Sequence, residues 1–275
     1  MDVNTINEVI RRPANPPGAH WREGDAWLAG GTWLFSDQQP QLRRLIDLMP
    51  LGWTELTVGE SGLDIGAMCT IRDLYAFTAP PDWRAAPLIS TSCEAFLASF
   101  KVWNSATVGG NICMSLPAGP MITLTVALEA RYRLWSVDGS ERIVDAGDFV
   151  TGDHRNVLAP GELLRSVHIP ADALHKRYTH RRFTLTHLGR STIFMIATQR
   201  PGADDLLLTL TAGTTRPVRL GFDSMPYAEE LRDRIDALPE DIWFDDPNGT
   251  PDHRKHLATY YAEDIRSEFS EGGRS

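Results

Sequence analysis

Cysteine is scarce in this chain of 275 residues. Only Cys69, Cys93 and Cys113 are present, and no two of them have the C-x-x-C spacing of many metal and redox sites. An odd number of cysteines argues against a disulfide framework, and an iron–sulfur cluster usually takes four thiolates. We therefore expect buried free thiols in a reducing compartment, and a chain that itself holds no metal.

Basic residues are outnumbered as well. Lys and Arg total 27 against 36 Asp and Glu, which gives a net charge of −9. Binding to nucleic-acid phosphates needs clustered Lys and Arg, so this composition predicts no nucleic-acid partner. A small anion bound by backbone N–H groups needs no net charge, and that class of ligand stays open.

Long hydrophobic runs are missing from the sequence too. The most apolar stretch, 121–128, is much shorter than the ~20 residues that span a bilayer. An export signal would need an apolar stretch after Arg11 and Arg12, but the proline-rich residues 13–18 follow instead. We therefore expect a cytoplasmic protein without a transmembrane segment.

The order of helix and strand patterns predicts an α+β fold. Apolar residues at alternate positions indicate strands, and apolar residues three and four apart indicate helices. Strands are expected at 26–29, 44–47, 56–58, 63–66, 132–135, 141–144, 163–169, 192–198 and 206–211. Helices are expected from Thr32 onwards and at 71–77, 87–100, 121–130, 227–238 and 252–269, with a glycine-rich turn at 104–111. The pattern changes between Pro170 and Tyr178, which predicts a domain boundary there.

Two glycine pairs are the most informative local feature. They lie in Ala29-Gly30-Gly31-Thr32 and in Thr107-Val108-Gly109-Gly110-Asn111. Glycine reaches positive φ and has no Cβ, so a ligand can approach the peptide N–H groups, and consecutive N–H groups form a concavity for anions. Two such turns that converge would hold a pyrophosphate without Lys or Arg. The chain has neither a G-x-G-x-x-G nor a G-x-x-x-x-G-K-[ST] motif, and an ordinary structural turn remains the alternative for each pair.

Three segments, in order, resemble the signatures of one family. They are 28–34 (LAGGTWL), 106–112 (ATVGGNI) and 161–170 (GELLRSVHIP), and 252–258 is similar to the same family's closing helix. The family is the FAD-binding (medium) subunit of molybdenum hydroxylases, the xanthine dehydrogenase and carbon monoxide dehydrogenase group. The resemblance covers nearly the whole chain.

The resemblance implies a division of the chain. Residues 1–172 would form the FAD-binding domain, with a small N-terminal α+β part at about 1–53 and a central part with an antiparallel sheet at about 54–172. Residues 173–275 would form a C-terminal α+β domain in which an antiparallel sheet packs with helices.

The resemblance also implies which residues hold FAD. Residues 28–34 would surround the pyrophosphate, the second glycine segment would form the opposite wall with Thr107 near the flavin, and a strand would pass the adenine. The implied set is Leu28, Ala29, Gly30, Gly31, Thr32, Trp33, Leu34, Ala106, Thr107, Gly109, Gly110, Asn111, Leu163, Leu164 and Arg182. Leu163 and Leu164 are equally typical of ordinary core strand residues, and Arg181 and Arg182 of a solvated face.

One part of the family pattern is missing. Many relatives carry a Ser-Asp or Ala-Asp pair whose carboxylate binds the ribityl chain, and Gly119 and Pro120 stand at those positions here. Met114 also replaces a more usual polar residue. Ribityl recognition would then need another acceptor, such as Ser115 or a backbone carbonyl.

No catalytic side chain is expected, because a bound flavin carries the redox chemistry itself. In the family, electrons pass from a molybdopterin site on a large subunit through two [2Fe–2S] clusters on a small subunit to FAD, and then to an external acceptor. The resemblance therefore implies both subunits as partners, in a dimer of heterotrimers. Two alternatives stay open, namely a non-redox nucleotide-binding protein and a structural subunit that has lost its flavin.

Overall fold

A computed structural model describes residues 4–11, 13 and 21–272. Within these residues the chain mixes helices with three larger sheets, one parallel and two antiparallel. Most of the proline-rich stretch, residues 14–18, lies outside the described residues. Across the described part, no helix is both long enough and apolar enough to cross a membrane.

The N-terminal part is a parallel sheet of three strands, in the order β1-β3-β2. The strands are β1 (Glu8–Ile10), β2 (Asp25–Leu28) and β3 (Arg44–Asp47). Asp25 and Arg44 form a buried ion pair across β2 and β3, with Arg44 Nη2 2.6 Å from Asp25 Oδ2. The ion pair thus joins β2, which leads into the first glycine segment, to β3, which follows it in the chain.

The helix predicted from Thr32 is wrong. Residues 32–36 form turns, in which Phe35 N donates to Gly31 O at 2.9 Å and Ser36 N to Trp33 O at 2.8 Å. Gly31 has a φ of +68°, so the backbone enters this segment in a left-handed conformation that a helix cannot include. The apolar run 33–35 is also too short to offset the cost of helix nucleation.

The central part is an antiparallel sheet of five strands, in the order β4-β5-β10-β6-β7. Both predicted hairpins are present in it. The strands are β4 (Leu56–Gly59), β5 (Gly62–Gly66), β6 (Arg131–Trp135), β7 (Glu141–Asp145) and β10 (Leu163–Pro170). The short strands β8 (Val150–Gly152) and β9 (Arg155–Asn156) form a separate hairpin.

Helices complete the central core. They are α1 (Ile71–Tyr75), α2 (Pro87–Ala95), α3 (Phe100–Trp103), α4 (Val108–Met114), α5 (Pro120–Ala127), α6 (Ala146–Phe149) and α7 (Ala171–Leu174). The helix predicted at 87–100 ends at Ala95, and residues 96–99 form a linker before α3. The turn predicted at 104–111 is also shorter than expected, because α4 begins at Val108 behind the N-cap Thr107. The second glycine pair therefore lies in the first turn of a helix.

The C-terminal part is an antiparallel sheet of four strands in sequence order. Its strands are β11 (Arg177–Thr184), β12 (Ser191–Gln199), β13 (Leu206–Thr211) and β14 (Val218–Phe222). Two helices, α8 (Ala228–Asp236) and α9 (Pro251–Gly272), share a second hydrophobic core with this sheet. The sequence predicted β12, β13 and both helices but neither edge strand.

The helix α5 lies between the two antiparallel sheets, and all its residues are buried. Thr125 Oγ1 is 2.5 Å from Tyr132 Oη on β6, and Thr123 Oγ1 is 2.6 Å from Thr211 Oγ1 on β13. These hydroxyl contacts fix α5, and the loop that precedes it, against both sheets.

Candidate functional site

A cavity of about 790 Å³ lies where the N-terminal sheet meets the central core. The first glycine loop, residues 29–34, forms one side, and the second glycine turn, residues 107–111, forms the other. The linker 96–98 and the start of β10 close the remaining sides. Most of the wall is apolar.

The two glycine segments contact each other. A Cβ on Gly30 would lie 1.7 Å from the carbonyl oxygen of Ser105, so only glycine lets the first loop rest on the backbone that leads into the second turn. The position of a Cβ on Gly110 is 3.8 Å from the Cβ of Ala29. The expectation that the two segments converge on one place agrees with this arrangement.

The first glycine loop presents a row of unused donors. In the described part of the chain, no group accepts a hydrogen bond from the backbone N–H of any residue from 29 to 34. Consecutive N–H groups beside a left-handed residue, here Gly31, form a concave site for anions. All six residues are at least partly exposed, so water can satisfy these donors, and an anion that enters the cavity can take the place of that water.

The second glycine turn is different, because the N–H groups of residues 108–111 are already bonded within the protein. Val108 N donates to Cys69 O and Gly109 N to Ala67 O, each at 2.9 Å. Gly110 N donates to Thr107 Oγ1 and Asn111 N to Thr107 O, each at 3.0 Å. Of the two predicted glycine segments, the first therefore offers the row of backbone donors, because the N–H groups of residues 108–111 are used within the protein.

Two side chains supply donors on the second side. Thr107 Oγ1 accepts from Gly110, and the described residues provide no acceptor for the hydroxyl proton. Asn111 Oδ1 accepts from Met121 N at 3.1 Å, which leaves the Nδ2 group as the free donor. Both residues line the cavity.

The cavity wall has no charged side chain among the described residues that line it. Its polar side chains are Thr32, Ser36, Gln39, Thr107 and Asn111. Burial raises the pKa of the Cys113 thiol in the wall to about 12, so this group is neutral at neutral pH. The peptide N–H groups of the first loop are thus the main electropositive feature of the site.

Most of the sequence-predicted residues meet in this cavity. Ala29, Gly30, Gly31, Thr32, Trp33, Leu34, Ala106, Thr107, Gly109, Gly110, Asn111, Leu163 and Leu164 line it. Leu28 does not line it but lies beneath the loop, with Cδ1 3.3 Å from where a Gly31 Cβ would stand.

Arg182 does not line the cavity either. It lies on β11, where Nε donates to Ser191 Oγ at 2.7 Å and Nη2 donates to Gly189 O at 3.2 Å. Its neighbour Arg181 pairs with Asp264 and Glu268 of α9. The structure therefore separates these arginines from the other predicted site residues.

The positions at which the resemblance implies a ribityl-binding carboxylate lie away from the cavity wall. Gly119 and Pro120 do not line the cavity, and Pro120 is buried at the first position of α5. Ser115 is buried, outside the wall, and its Oγ accepts from Asn156 Nδ2 at 3.0 Å. Ser115 is thus not an available acceptor, whereas Met114 does line the cavity.

Sequence reasoning missed several wall residues. Trp27, Met68, Phe96, Leu97, Ala98, Val102, Leu116 and Leu158 all contribute. Trp27 is adjacent to the first motif and could have been included. The others belong to segments without a motif, and only the folded chain brings them to the cavity. Among the described residues, no three His, Cys, Asp or Glu side chains are grouped as a metal site would require.

Comparison with known proteins points to one family. Residues 6–172 match the family model described as FAD binding domain in molybdopterin dehydrogenase. The carbon monoxide dehydrogenase medium chain of Afipia carboxidovorans is 32% identical over 161 residues, which is 56% of this chain and 54% of that one. Xanthine dehydrogenase 2 of Arabidopsis thaliana is 26% identical over 172 residues, 60% of this chain but 13% of that protein. The matched region thus spans about half of the first relative and a small part of the second.

A solved structure shares the fold over almost the full length. Carbon monoxide dehydrogenase from Hydrogenophaga pseudoflava, in a form that lacks the Mo-pyranopterin moiety, superimposes with a TM-score of 0.79 at 21% identity. The match covers 96% of this chain and 97% of that one. It confirms the predicted α+β architecture with antiparallel sheets.

Proposed function

The chain belongs to the family of FAD binding domains in molybdopterin dehydrogenase, and from this membership we propose that it binds FAD in the cavity between its two glycine segments. The observation that carries the proposal is the row of six backbone N–H groups in the first glycine loop for which the described residues supply no acceptor. A pyrophosphate supplies the acceptors that this row lacks.

The described residues fit such a ligand in three respects. The volume of about 790 Å³ is within the range of about 300–1,000 Å³ that cofactor and other small-molecule sites occupy. No carboxylate lines the wall, so nothing there repels the phosphates. The apolar side chains suit flat ring systems, and the few polar ones are placed to fix their orientation.

Each side of the cavity has its own part in the proposed site. The peptides of residues 29–34 bind the pyrophosphate, and Thr107 and Asn111 donate hydrogen bonds from the opposite side. Leu163 and Leu164 pack at the adenine end, as the family resemblance implies. Arg182 is left out, because it does not reach the wall.

When bound, FAD supplies the electron-transfer chemistry. The chain's own residues bind it, orient it and exclude water from it. The Cys113 thiol is neutral at neutral pH, and no charged side chain of the described residues lines the cavity, so the wall offers no group that gains or loses a proton near pH 7.

The chain would then be the flavoprotein part of a molybdenum-containing oxidoreductase. Its partners would be a small iron–sulfur subunit, whose [2Fe–2S] clusters deliver electrons, and a large molybdopterin subunit, in a dimer of heterotrimers. The relative from Afipia supports this, since it is named a medium chain and so belongs with other chains. We also propose the domain boundary at 172/173, where the chain passes from the central sheet to the C-terminal one.

Binding of FAD is tested by purifying the chain, removing any flavin and titrating with FAD. One FAD per chain, with the visible spectrum of an oxidised flavin, is expected. Binding of ADP with equal affinity and no preference for FAD would favour the nucleotide-binding alternative. Binding of neither would favour a structural subunit.

The assembly is tested by co-expression with the iron–sulfur and molybdopterin subunits. The isolated chain should bind FAD but not oxidise aldehydes, purines or carbon monoxide, whereas the complex should reduce a dye and elute as a larger particle. Turnover by the isolated chain, or failure to co-purify with either partner, would overturn the proposed assembly.

A further inference from the structure

Glu162 is a buried carboxylate next to the cavity. Its side chain is only 3% exposed, and it directly precedes Leu163 at the start of β10. Ionised carboxylates are rarely buried unless they are paired and hydrogen-bonded, so the contacts of this group are informative.

Arg142 on β7 provides the pairing. Its Nε lies 2.7 Å from Glu162 Oε1 and its Nη2 lies 2.7 Å from Glu162 Oε2, which is a bidentate arrangement. The same Nη2 donates to Val157 O at 2.8 Å. The arginine thus fixes both ends of the segment 157–162 to the central sheet.

Glu162 in turn is bonded to Trp27 and to Ala159, which is next to Leu158, and it adjoins Leu163 in the chain. Its Oε2 accepts from Ala159 N at 3.0 Å, next to Leu158, and its backbone carbonyl accepts from the indole Nε1 of Trp27 at 3.2 Å. Leu163 is its chain neighbour. Leu158, Trp27 and Leu163 all line the cavity, and Trp27 comes from β2, far from the other two in the sequence.

We propose that Glu162, held by Arg142, is a positioning residue for the FAD cavity, which sets the places of Trp27, Leu158 and Leu163. Glu162 does not itself line the cavity, so it acts on the ligand only through these three side chains. The inference rests on the proposed function, because FAD is the ligand whose affinity it sets. The bonds from Arg142 hold the pKa of the Glu162 carboxyl below its ordinary value, so the pair is charged at neutral pH.

The test compares Glu162→Gln with Glu141→Gln in the full chain. Glu141 is the control, since it also accepts from an arginine and a tryptophan, Arg133 at 3.0 Å and Trp135 at 2.6 Å, and neither of these partners lines the cavity. The first measurement is the dissociation constant of FAD by titration. The second, made without FAD, is hydrogen exchange of the backbone amides in 157–163.

We expect Glu162→Gln to raise the dissociation constant at least tenfold and to speed exchange in 157–163, and Glu141→Gln to change each less than twofold. Leu158→Ala should weaken binding in the wild-type chain but much less in Glu162→Gln, because the leucine is already displaced there. Unchanged affinity in Glu162→Gln, or strictly additive losses, would overturn the positioning role and leave a merely structural one.

Two further controls keep the outcome clear. If Glu162→Gln does not fold, Arg142→Gln replaces it, because that side chain is more exposed, and a rise in the dissociation constant is again expected and its absence overturns the proposal. If the wild-type chain binds no FAD, the proposed function fails, whereas the exchange measurement still decides whether Glu162 holds the segment 157–163.

Discussion

The two glycine pairs look alike in the sequence and do different work in the structure. The first loop, residues 29–34, leaves its N–H groups without a described acceptor. The second turn, residues 107–111, uses its N–H groups inside the protein, and Gly109 packs so closely that a Cβ would lie 2.7 Å from both the Cβ and the carbonyl oxygen of Ala67. The same dipeptide thus lies among open backbone donors in one place and allows close packing in the other.

This difference separates two tasks that a glycine-rich motif combines. One is to bring two backbone segments together, and the other is to leave donors open to an anion. Gly30 belongs to the first task although it lies in the first loop, because its missing Cβ admits the Ser105 carbonyl. Substitutions at single glycines can therefore tell packing from binding.

The largest effect is expected from Gly30→Ala. A Cβ 1.7 Å from the Ser105 oxygen forces the two segments apart, which should cost about 3 kcal/mol or more in the free energy of unfolding. Urea unfolding measures it, with Gly221→Ala as the control, since nothing lies within 4 Å of a Cβ there. An unchanged midpoint for Gly30→Ala would mean that the two segments do not need to touch.

Gly110→Val should lower FAD affinity while the chain still folds. A side chain here meets only Thr107 Oγ1 at 2.9 Å and Ala29 Cβ at 3.8 Å, so it extends into the cavity rather than into the core. We expect at least a tenfold loss, or about 1.4 kcal/mol, in a titration with FAD. Gly221→Val should bind normally, and full flavin content in Gly110→Val would place the ligand elsewhere.

Thr107→Val and Thr70→Val compare two helix caps, one inside the site and one outside it. Thr107 Oγ1 accepts from Gly110 N at 3.0 Å, and Thr70 Oγ1 from Asp73 N at 3.1 Å. Each substitution should lower the free energy of unfolding by ~1 kcal/mol. Only Thr107→Val should also weaken FAD binding, and equal affinities for the two variants would show that the Thr107 hydroxyl is purely structural.

The smallest expected effect is a loss of stability at acid pH, and it arises from Glu162, on the β10 side of the cavity. The pKa of Glu162 in the folded chain lies below its ordinary value of 4.5, chiefly because of the bonds from Arg142. Its stabilising contribution is therefore complete above about pH 4.5 and is lost as the pH falls through the lower folded value. The stability difference between wild type and Glu162→Gln should stay constant from pH 7 to about pH 4.5 and shrink as the pH falls further, whereas that of Thr107→Val should stay constant throughout. A Glu162→Gln difference that is independent of pH would show that the carboxylate is not charged in the fold.

Local signals in the sequence predicted much of this architecture. The hairpins of the central sheet, β12, β13 and the long helix α9 follow from periodicity and turn residues. β11 was missed because its sequence, RYTHRRFT, is too polar to indicate a strand, and the partner strand supplies its pairing. The false helix after Thr32 came from the apolar run 33–35, of which Trp33 and Leu34 line the cavity instead.

The candidate site could be predicted only where a motif marked it. The glycine segments and the start of β10 were found, but the linker 96–98 and Leu158 contribute through tertiary contacts alone. The sequence also could not predict which backbone N–H groups of the glycine segments are hydrogen-bonded within the protein. This bonding depends on Ala67 and Cys69, whose carbonyls lie about forty residues away in the sequence from the groups that they bind.

The buried helix α5 couples the unfolding of the central part to that of the C-terminal part. Phe194 and Ile196 of β12, and Ala212 directly after β13, pack in the hydrophobic core of the central part, where α5 lies. Removing residues after 172 would expose this face of α5 to water and leave the Thr123 hydroxyl without Thr211. The sequence boundary is therefore not a boundary of cooperativity, and the described chain should melt in a single transition rather than in two.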